Sequence, residues 1–214
     1  MIDDSVKEKL YAAVIADILD ELGYRQQVMS AAIRPLLPDM VIVGRARTML
    51  AVPESEIPAQ PYQTQIDATD ALLPGDVVVA HTSGITNSAF WGELFSTAAQ
   101  ARGAVGAVVD GYVRDVRKII EAQFPVFATG MRPINSKGRC TVAAYDVPIL
   151  CGDVLVHPGD IIFAEIDGVV VIPRQVEQEV MVRAVATASQ ENAMRQSIKN
   201  GSTLRAAWET YRVL

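Results

Sequence analysis

The chain has 214 residues, half of them hydrophobic and 6% aromatic, with a formal net charge of −6. This suits one α/β domain over residues 1–214 with a sizeable core and excludes a disordered or fibrous chain. The acidic balance and scattered Lys and Arg argue against a nucleic-acid-binding surface or a basic membrane patch. Two cysteines, Cys140 and Cys151, in a chain too large to need stapling, read as those of a reduced cytoplasmic protein. The opening MIDDSVKEKLYAAV lacks a signal peptide's continuous apolar core, and no apolar run is long enough to span a bilayer.

In chain order, Val6, Leu10, Val14, Ile15, Ile18, Leu19 and Leu22 recur at helical spacing, predicting an amphipathic helix over 5–23 that stops at Gly23. After Pro35 and Pro38 the pattern becomes strand-like from Met40 to Val52. Arg45 and Arg47 share one face of that strand, open to an anionic ligand or, more commonly, to ordinary ion pairing. Three prolines predict a loop over 53–66, with a short helix from Ile66 to Ala71. From Val77 the order is strand (77–80), loop, helix (92–102), strand (105–109), loop, helix (115–122) and strand (125–128). Such alternation implies parallel βαβ units. Residues 131–145 read as irregular; then short runs at 147–151, 154–157, 160–164 and 168–173, separated by Gly-Asp turns, predict antiparallel strands. A polar helix from Arg174, broken at Asn200-Gly201, and a last helix to about Tyr211 close the chain.

The chemistry concentrates between Thr82 and Val116, where two loops leave the carboxyl ends of neighbouring strands, the edge at which open α/β sheets bind ligands. Gly92 opens a helix whose first free N–H groups belong to Glu93, Leu94 and Phe95, a nest for a carboxylate or phosphate. Gly92 could equally be chosen for its turn alone. The second loop, from Asp110 and Gly111, supplies Arg114 and Asp115; an acid there also suits the cap of the following helix. Together the loops offer an anion nest, a guanidinium and carboxylates, a set suited to a small anionic substrate held with Mg²⁺ or Mn²⁺ rather than Zn²⁺. His81 reads as a hydrogen-bonded bystander at the sheet edge and His157 as turn chemistry.

At these residues, within GELFSTAAQARGAVGAVVDGYVRD, the sequence resembles the RraA-like family. That family includes metal-dependent 4-hydroxy-4-methyl-2-oxoglutarate and 4-carboxy-4-hydroxy-2-oxoadipate aldolases and the regulator of ribonuclease E. The aldolase pattern is an acidic residue, twenty intervening positions and Arg-Asp, matched by Glu93, Arg114 and Asp115. Glu93 stands where many members have Asp. The segments IADILDELG, IRPLLPDMVIVGRA and PGDIIFAEIDGVVVIPR also look familial, so the resemblance covers nearly the whole chain. It implies a swivelling β/β/α-type fold with a parallel βαβ core, additional antiparallel strands and C-terminal helices, assembled as a homotrimer or homohexamer.

The resemblance also implies roles. Asp115 would ligate the metal and Arg114 would contact the keto or enolate oxygen of a 2-oxo acid. The Leu94 and Phe95 amides, opened by Gly92, would hold its carboxylate, and Glu93 would position a proton-relaying water. A glutamate from a neighbouring subunit's C-terminal helix completes the family's site, and Glu191 in ATASQENAMRQ is the candidate. Cleaving a 4-hydroxy-2-oxo acid leaves the enolate of pyruvate, which a Lewis acid stabilises where charge develops. Decarboxylation of oxaloacetate leaves the same enolate. A Schiff-base mechanism needs a lysine in a dry pocket, and the lysines here sit in polar contexts. Substituents at C4 would meet Ile85–Trp91 or Arg132–Arg139. The alternative, from another class, is a non-catalytic binding regulator of ribonuclease E.

Overall fold

The computed structural model describes residues 10–213. Its centre follows from the Val-Val-Val-Ala run of β3 (Asp76–His81), which is too apolar to leave either face in water. Val78 and Ala80 pack among helices on one side, while Val77 and Val79 pack on the opposite side. Around β3 lie β2 (Ile42–Pro53), β4 (Gly106–Val113) and β5 (Val126–Met131), joined in parallel in the order β5-β4-β3-β2. Three helices connect successive strands: α2 (Gln63–Asp70), α3 (Glu93–Ala101) and α4 (Val116–Glu121). These are the expected βαβ units.

The sheet continues antiparallel at both ends. A two-residue strand, β1 (Arg34–Pro35), adds to β5, and β9 (Ile161–Glu165) with β10 (Gly168–Ile172) add beyond β2. The long strand β2 has two partners on one side of its length. Residues 42–45 pair with β9, and 49–53 pair with β6 (Cys140–Tyr145) across a bulge at Leu50/Ala51. A hairpin of β7 (Ile149–Cys151) and β8 (Val154–Val156) covers the second face through Ile149, Cys151, Val154 and Val156. The chain is therefore a mixed α/β fold with a bent mixed sheet and C-terminal helices.

Those C-terminal helices are α5 (Glu177–Lys199), entered through a 3₁₀ turn at Arg174–Val176, and α6 (Leu204–Tyr211). Val180, Ala184 and Ala188 of α5 pack with α1 (Ala12–Glu21) over β9 and β10. Fully buried side chains such as Phe127, Phe163 and Trp91 each contribute about 1.5–3 kcal/mol through removal from water.

Four expectations need correction. The first helix begins, within the described residues, at Ala12 rather than before Leu10; residues 5–9 of that expectation, with Val6, lie outside the described residues. Helix α2 starts at Gln63, inside the expected loop, because Tyr62 takes a left-handed turn (φ 69°) that starts the helix early. Residues 140–145 form β6 rather than irregular chain, their polarity explained by one face that stays outside the core. Strand β4 runs on to Val113, so Asp110 and Gly111 belong to a strand and not to the second loop.

Candidate active site

The longer β4 is what brings the two loops together. After Val109 its pairing with β5 slips by a bulge, and Thr82 locks the irregularity: its hydroxyl donates to the Asp110 carbonyl at 2.6 Å. Only glycine fits beside it at position 111, where a Cβ would stand 2.4 Å from Thr82 Oγ1. Beyond the bulge, Phe90 N–H donates to the Tyr112 carbonyl (2.8 Å) and Arg114 N–H to the Trp91 carbonyl (2.9 Å). The segment before α3 thus runs parallel to the end of β4, bridged at Trp91 and Val113. Gly92 is thereby set directly against Arg114 and Asp115.

Gly92 caps α3 in an extended conformation, and no side chain caps that helix. The first-turn N–H groups, including those of Leu94 and Phe95, keep the unpaired donors and positive dipole of a helix start. A Cβ on Gly92 would lie 2.9 Å from Asp115 Oδ2 and 3.1 Å from Arg114 Cγ. The glycine therefore lets both side chains approach, and any Cβ there would push the Asp115 carboxylate aside. Arg114 Nε and Asp115 Oδ2 pair at 3.2 Å, each side chain more than a third exposed.

Asp115 occupies the N-cap of α4 with φ 57°, yet its side chain makes no capping bond; its carbonyl takes the helix's first hydrogen bonds. The expected cap is thus filled by backbone alone, leaving a carboxylate at the site's rim. Glu93 stands on the same side and accepts from Thr97 Oγ1 at 3.1 Å. With Leu94, Arg114, Asp115 and Lys118 it borders a shallow depression of about 410 Å³.

On the other side of the Arg114–Asp115 pair lies a deeper cavity of about 340 Å³, in the range that holds a small ligand. Gly92, Leu94 and Phe95 border it together with Arg114 and Asp115. Its farther wall comes from Tyr62, Ile66, Thr69 and Asp70 around α2, which the sequence reading did not single out. Of the segments expected to meet C4, Ala89, Phe90, Trp91, Asn135 and Ser136 line the cavity, whereas Arg132 and Arg139 do not. Arg132 instead donates to the Thr86 carbonyl and stacks over Tyr112.

The remaining sequence candidates lie apart. Glu191 sits in α5, half-buried, and does not line the cavity of its own chain. His81 Nδ1 contacts Asp110 Oδ2 at 3.2 Å, an oxygen that also accepts from Gly152 N–H, so this pair braces the β7–β8 hairpin. His157 belongs to a turn closed by Asp160. Arg45 is paired with Glu177, and Arg47 with Asp146 and Asp76. Lys118, Lys137 and Lys199 are all exposed, and Lys118 is held protonated above its usual pKa by its hydrogen bond to Glu121. That is opposite to what a Schiff-base lysine requires.

Among the described residues no three His, Cys, Asp or Glu side chains converge as a metal cage. The donor set still fits one class of ion. A single uncapping carboxylate at an exposed rim, with room left by Gly92, suits Mg²⁺ or Mn²⁺, which keep most of their waters.

Known proteins share this sequence pattern and fold. The family model described as Aldolase/RraA matches residues 12–171. "Protein DlpA" of Legionella pneumophila is 34% identical over 94% of this chain, which spans only 32% of that protein's length. A Halalkalibacterium halodurans protein named "Putative 4-hydroxy-4-methyl-2-oxoglutarate aldolase" is 32% identical over 91% of this chain and 88% of its own. Among solved structures, an uncharacterized Pseudomonas syringae protein superposes with a TM-score of 0.85 at 31% identity, covering 98% of this chain and 95% of that one. Streptomyces coelicolor RraAS2, described as an unusual member of the RNase ES inhibitor RraA family, gives 0.82 at 29% identity, covering 91% and 98%. The chain belongs to the RraA-like family.

Proposed function

We propose that the protein is a divalent-metal-dependent lyase that releases pyruvate from 4-hydroxy-2-oxo acids of the 4-hydroxy-4-methyl-2-oxoglutarate type, and that also decarboxylates oxaloacetate. The observation that carries this reading is the meeting of an uncapped helix start with Arg114 and Asp115 across a missing Cβ. The N–H groups of Leu94 and Phe95 receive the substrate carboxylate. Asp115 would hold Mg²⁺ or Mn²⁺, which when bound supplies Lewis acidity at the keto oxygen. The Arg114 guanidinium faces the same oxygen and stabilises the charge that grows there as the C3–C4 bond breaks. Glu93 orders a water beside the reacting carbons and moves protons through it. Glu191 serves from a neighbouring subunit of a homotrimer or homohexamer.

Pyruvate release from oxaloacetate tests the reading. It should require Mg²⁺, stop with EDTA and fall by about 100-fold or more in Arg114→Ala and Asp115→Ala. Turnover indifferent to EDTA and to Asp115→Ala would remove the metal assignment. The likeness to RraAS2 favours a second reading, a binding regulator of ribonuclease E. Inhibition of that nuclease surviving Asp115→Ala, in a protein that releases no pyruvate, would establish it instead.

A further inference from the structure

We propose that Arg117 and Lys118 form the subsite for a carboxylate on C4 of the substrate, so that the site favours 4-hydroxy-2-oxo dicarboxylates over acids with an uncharged C4 substituent. The proposal rests on the lyase reading above and names the residues that recognise the far end of its substrate.

Leu94, Arg114 and Asp115 border both the 340 Å³ cavity and the 410 Å³ depression. A 2-oxo acid anchored on that shared border extends C4 to one side or the other. Glu93, whose water serves the reacting carbons, borders the depression and not the cavity. Charge points the same way. Among the described residues the cavity is lined by one cation, Arg114, against two acids, Asp70 and Asp115. The depression carries three cations, Arg114, Arg117 and Lys118, against Glu93 and Asp115. In the cavity a second carboxylate would lose its water without a cation of its own, whereas in the open depression it stays hydrated and meets two. The C4 contact thereby moves from the expected segments, 85–91 and 132–139, to the start of α4, since none of their residues borders the depression.

The two cations retain capacity for a ligand. Glu121 serves both, pairing with Arg117 Nε at 3.4 Å and with Lys118 Nζ at 2.8 Å, so one acid faces two positive charges. An ammonium has three donors and a guanidinium five, more than a single carboxylate can occupy. The Arg117 and Lys118 side chains are 88% and 62% exposed, free to turn toward a bound anion. Lys118 is held protonated chiefly by its bond to Glu121 and also by the charge of Glu93, which puts its ammonium within electrostatic reach of the relay carboxylate.

The step needs no co-reactant. The C4 hydroxyl gives up its proton, C4 becomes the carbonyl of a 2-oxo acid that keeps the second carboxylate, and the C3–C4 electron pair passes into the enolate. That enolate takes a proton at C3 to become pyruvate.

The test compares 4-hydroxy-2-oxoglutarate with 4-hydroxy-2-oxopentanoate, which differ only in a carboxylate or a methyl on C4. Pyruvate is measured by chromatography under Mg²⁺, in wild type and in the double variant Arg117→Gln/Lys118→Gln. Wild type should prefer the dicarboxylate by about 5-fold or more in kcat/KM, and the double variant should lose about 5-fold of that ratio, mainly through KM. A ratio taken within one preparation does not depend on its folded fraction. Exposed cations are screened, so the wild-type preference should also shrink between about 0.05 and about 0.5 M NaCl, and the variant's ratio should not. Wild-type preference for the pentanoate, a ratio unmoved in the double variant, or a preference indifferent to salt overturns the subsite and leaves the lyase reading standing. No pyruvate from either acid or from oxaloacetate overturns the lyase reading itself, and the subsite with it.

Discussion

Replacing Gly92 with alanine isolates the geometry on which the proposed chemistry depends. Gly92 has φ −158°, extended backbone that any residue adopts, so the substitution adds no strain of its own. The new Cβ would instead stand 2.9 Å from Asp115 Oδ2, 3.1 Å from Arg114 Cγ and 3.3 Å from Arg114 Nε. Ordinary contact starts at 3.4 Å, so the carboxylate must retreat by the difference, about half an ångström. A misplacement of about 1 Å at a reacting centre can cost on the order of 100-fold, so kcat/KM should fall by roughly 10-fold or more. Stability should change little. Alanine is the poorer N-cap by about 1 kcal/mol, and the stiffer unfolded chain returns about 0.4–1 kcal/mol. Pyruvate release coupled to lactate dehydrogenase gives kcat/KM, and calorimetry gives Tm. A variant with wild-type kcat/KM and wild-type Tm would refute the claim that this glycine makes room for the two side chains.

Two further predictions concern the scaffold. Glu177 accepts from Arg45 Nη1 (2.7 Å) and Nη2 (3.0 Å), and this hydrogen bonding, against some desolvation, lowers its pKa below the ordinary 4.5. A depressed carboxylate pKa stabilises the fold above the unfolded value, and the contribution is lost as pH falls through the folded value. Both side chains are partly exposed, so screening limits the pair to about 1 kcal/mol. Glu177→Gln should therefore lower Tm by about 2–4 °C at pH 7, with the gap closing as pH falls below the ordinary 4.5 and through the lowered value; a gap independent of pH would contradict the pairing. Burial also raises the Cys140 thiol to about 12 and shifts Cys151 upward as well. Iodoacetamide at pH 8 should leave both unlabelled in the native protein and label both in denaturant; rapid native labelling would show that one of them is open to solvent.

The sequence pattern revealed what is local and missed what is assembled. Strand β3 was legible because Val77–Ala80 is a short apolar run bounded by turn residues, and the βαβ order followed from its neighbours. Strand β6 was not, because Cys140 and Val142 face the core while Ala144 and Tyr145 do not, and its partner residues in β2 lie far back in the chain, from Pro53 opposite Cys140 to Met49 opposite Tyr145. The site divides the same way. Glu93, Arg114 and Asp115 were singled out through the family resemblance, and the structure brings them to one rim because a helix and a strand fix the spacing between them. Tyr62 and Ile66 were not, since they reach the cavity only because α2 packs beside α3, a contact no local pattern encodes. Arg132 and Arg139 look like ligands by charge, yet Arg132 is spent on a backbone carbonyl and neither borders the cavity.

Asp115 is where local rules and observed structure part most usefully. An acid before a helix normally caps it, a contribution of about 1 kcal/mol. Here the residue takes a left-handed backbone (φ 57°, ψ 28°), which costs a non-glycine residue about 1–2 kcal/mol, and its carboxylate turns to Arg114 instead of the helix. Helix α3, facing it, starts on Gly92, which has no side chain to offer as a cap. Serine at 92 could cap α3, but its Cβ would meet Asp115 Oδ2 at 2.9 Å while that carboxylate faces Arg114. A side chain at 92 and the present Arg114–Asp115 pair therefore compete at this one place. A chain that keeps the less stable arrangement at both ends retains uncapped N–H donors on one side and, on the other, a carboxylate held by Arg114 rather than by the helix. That arrangement is the one the proposed binding of an anion together with a cation would use.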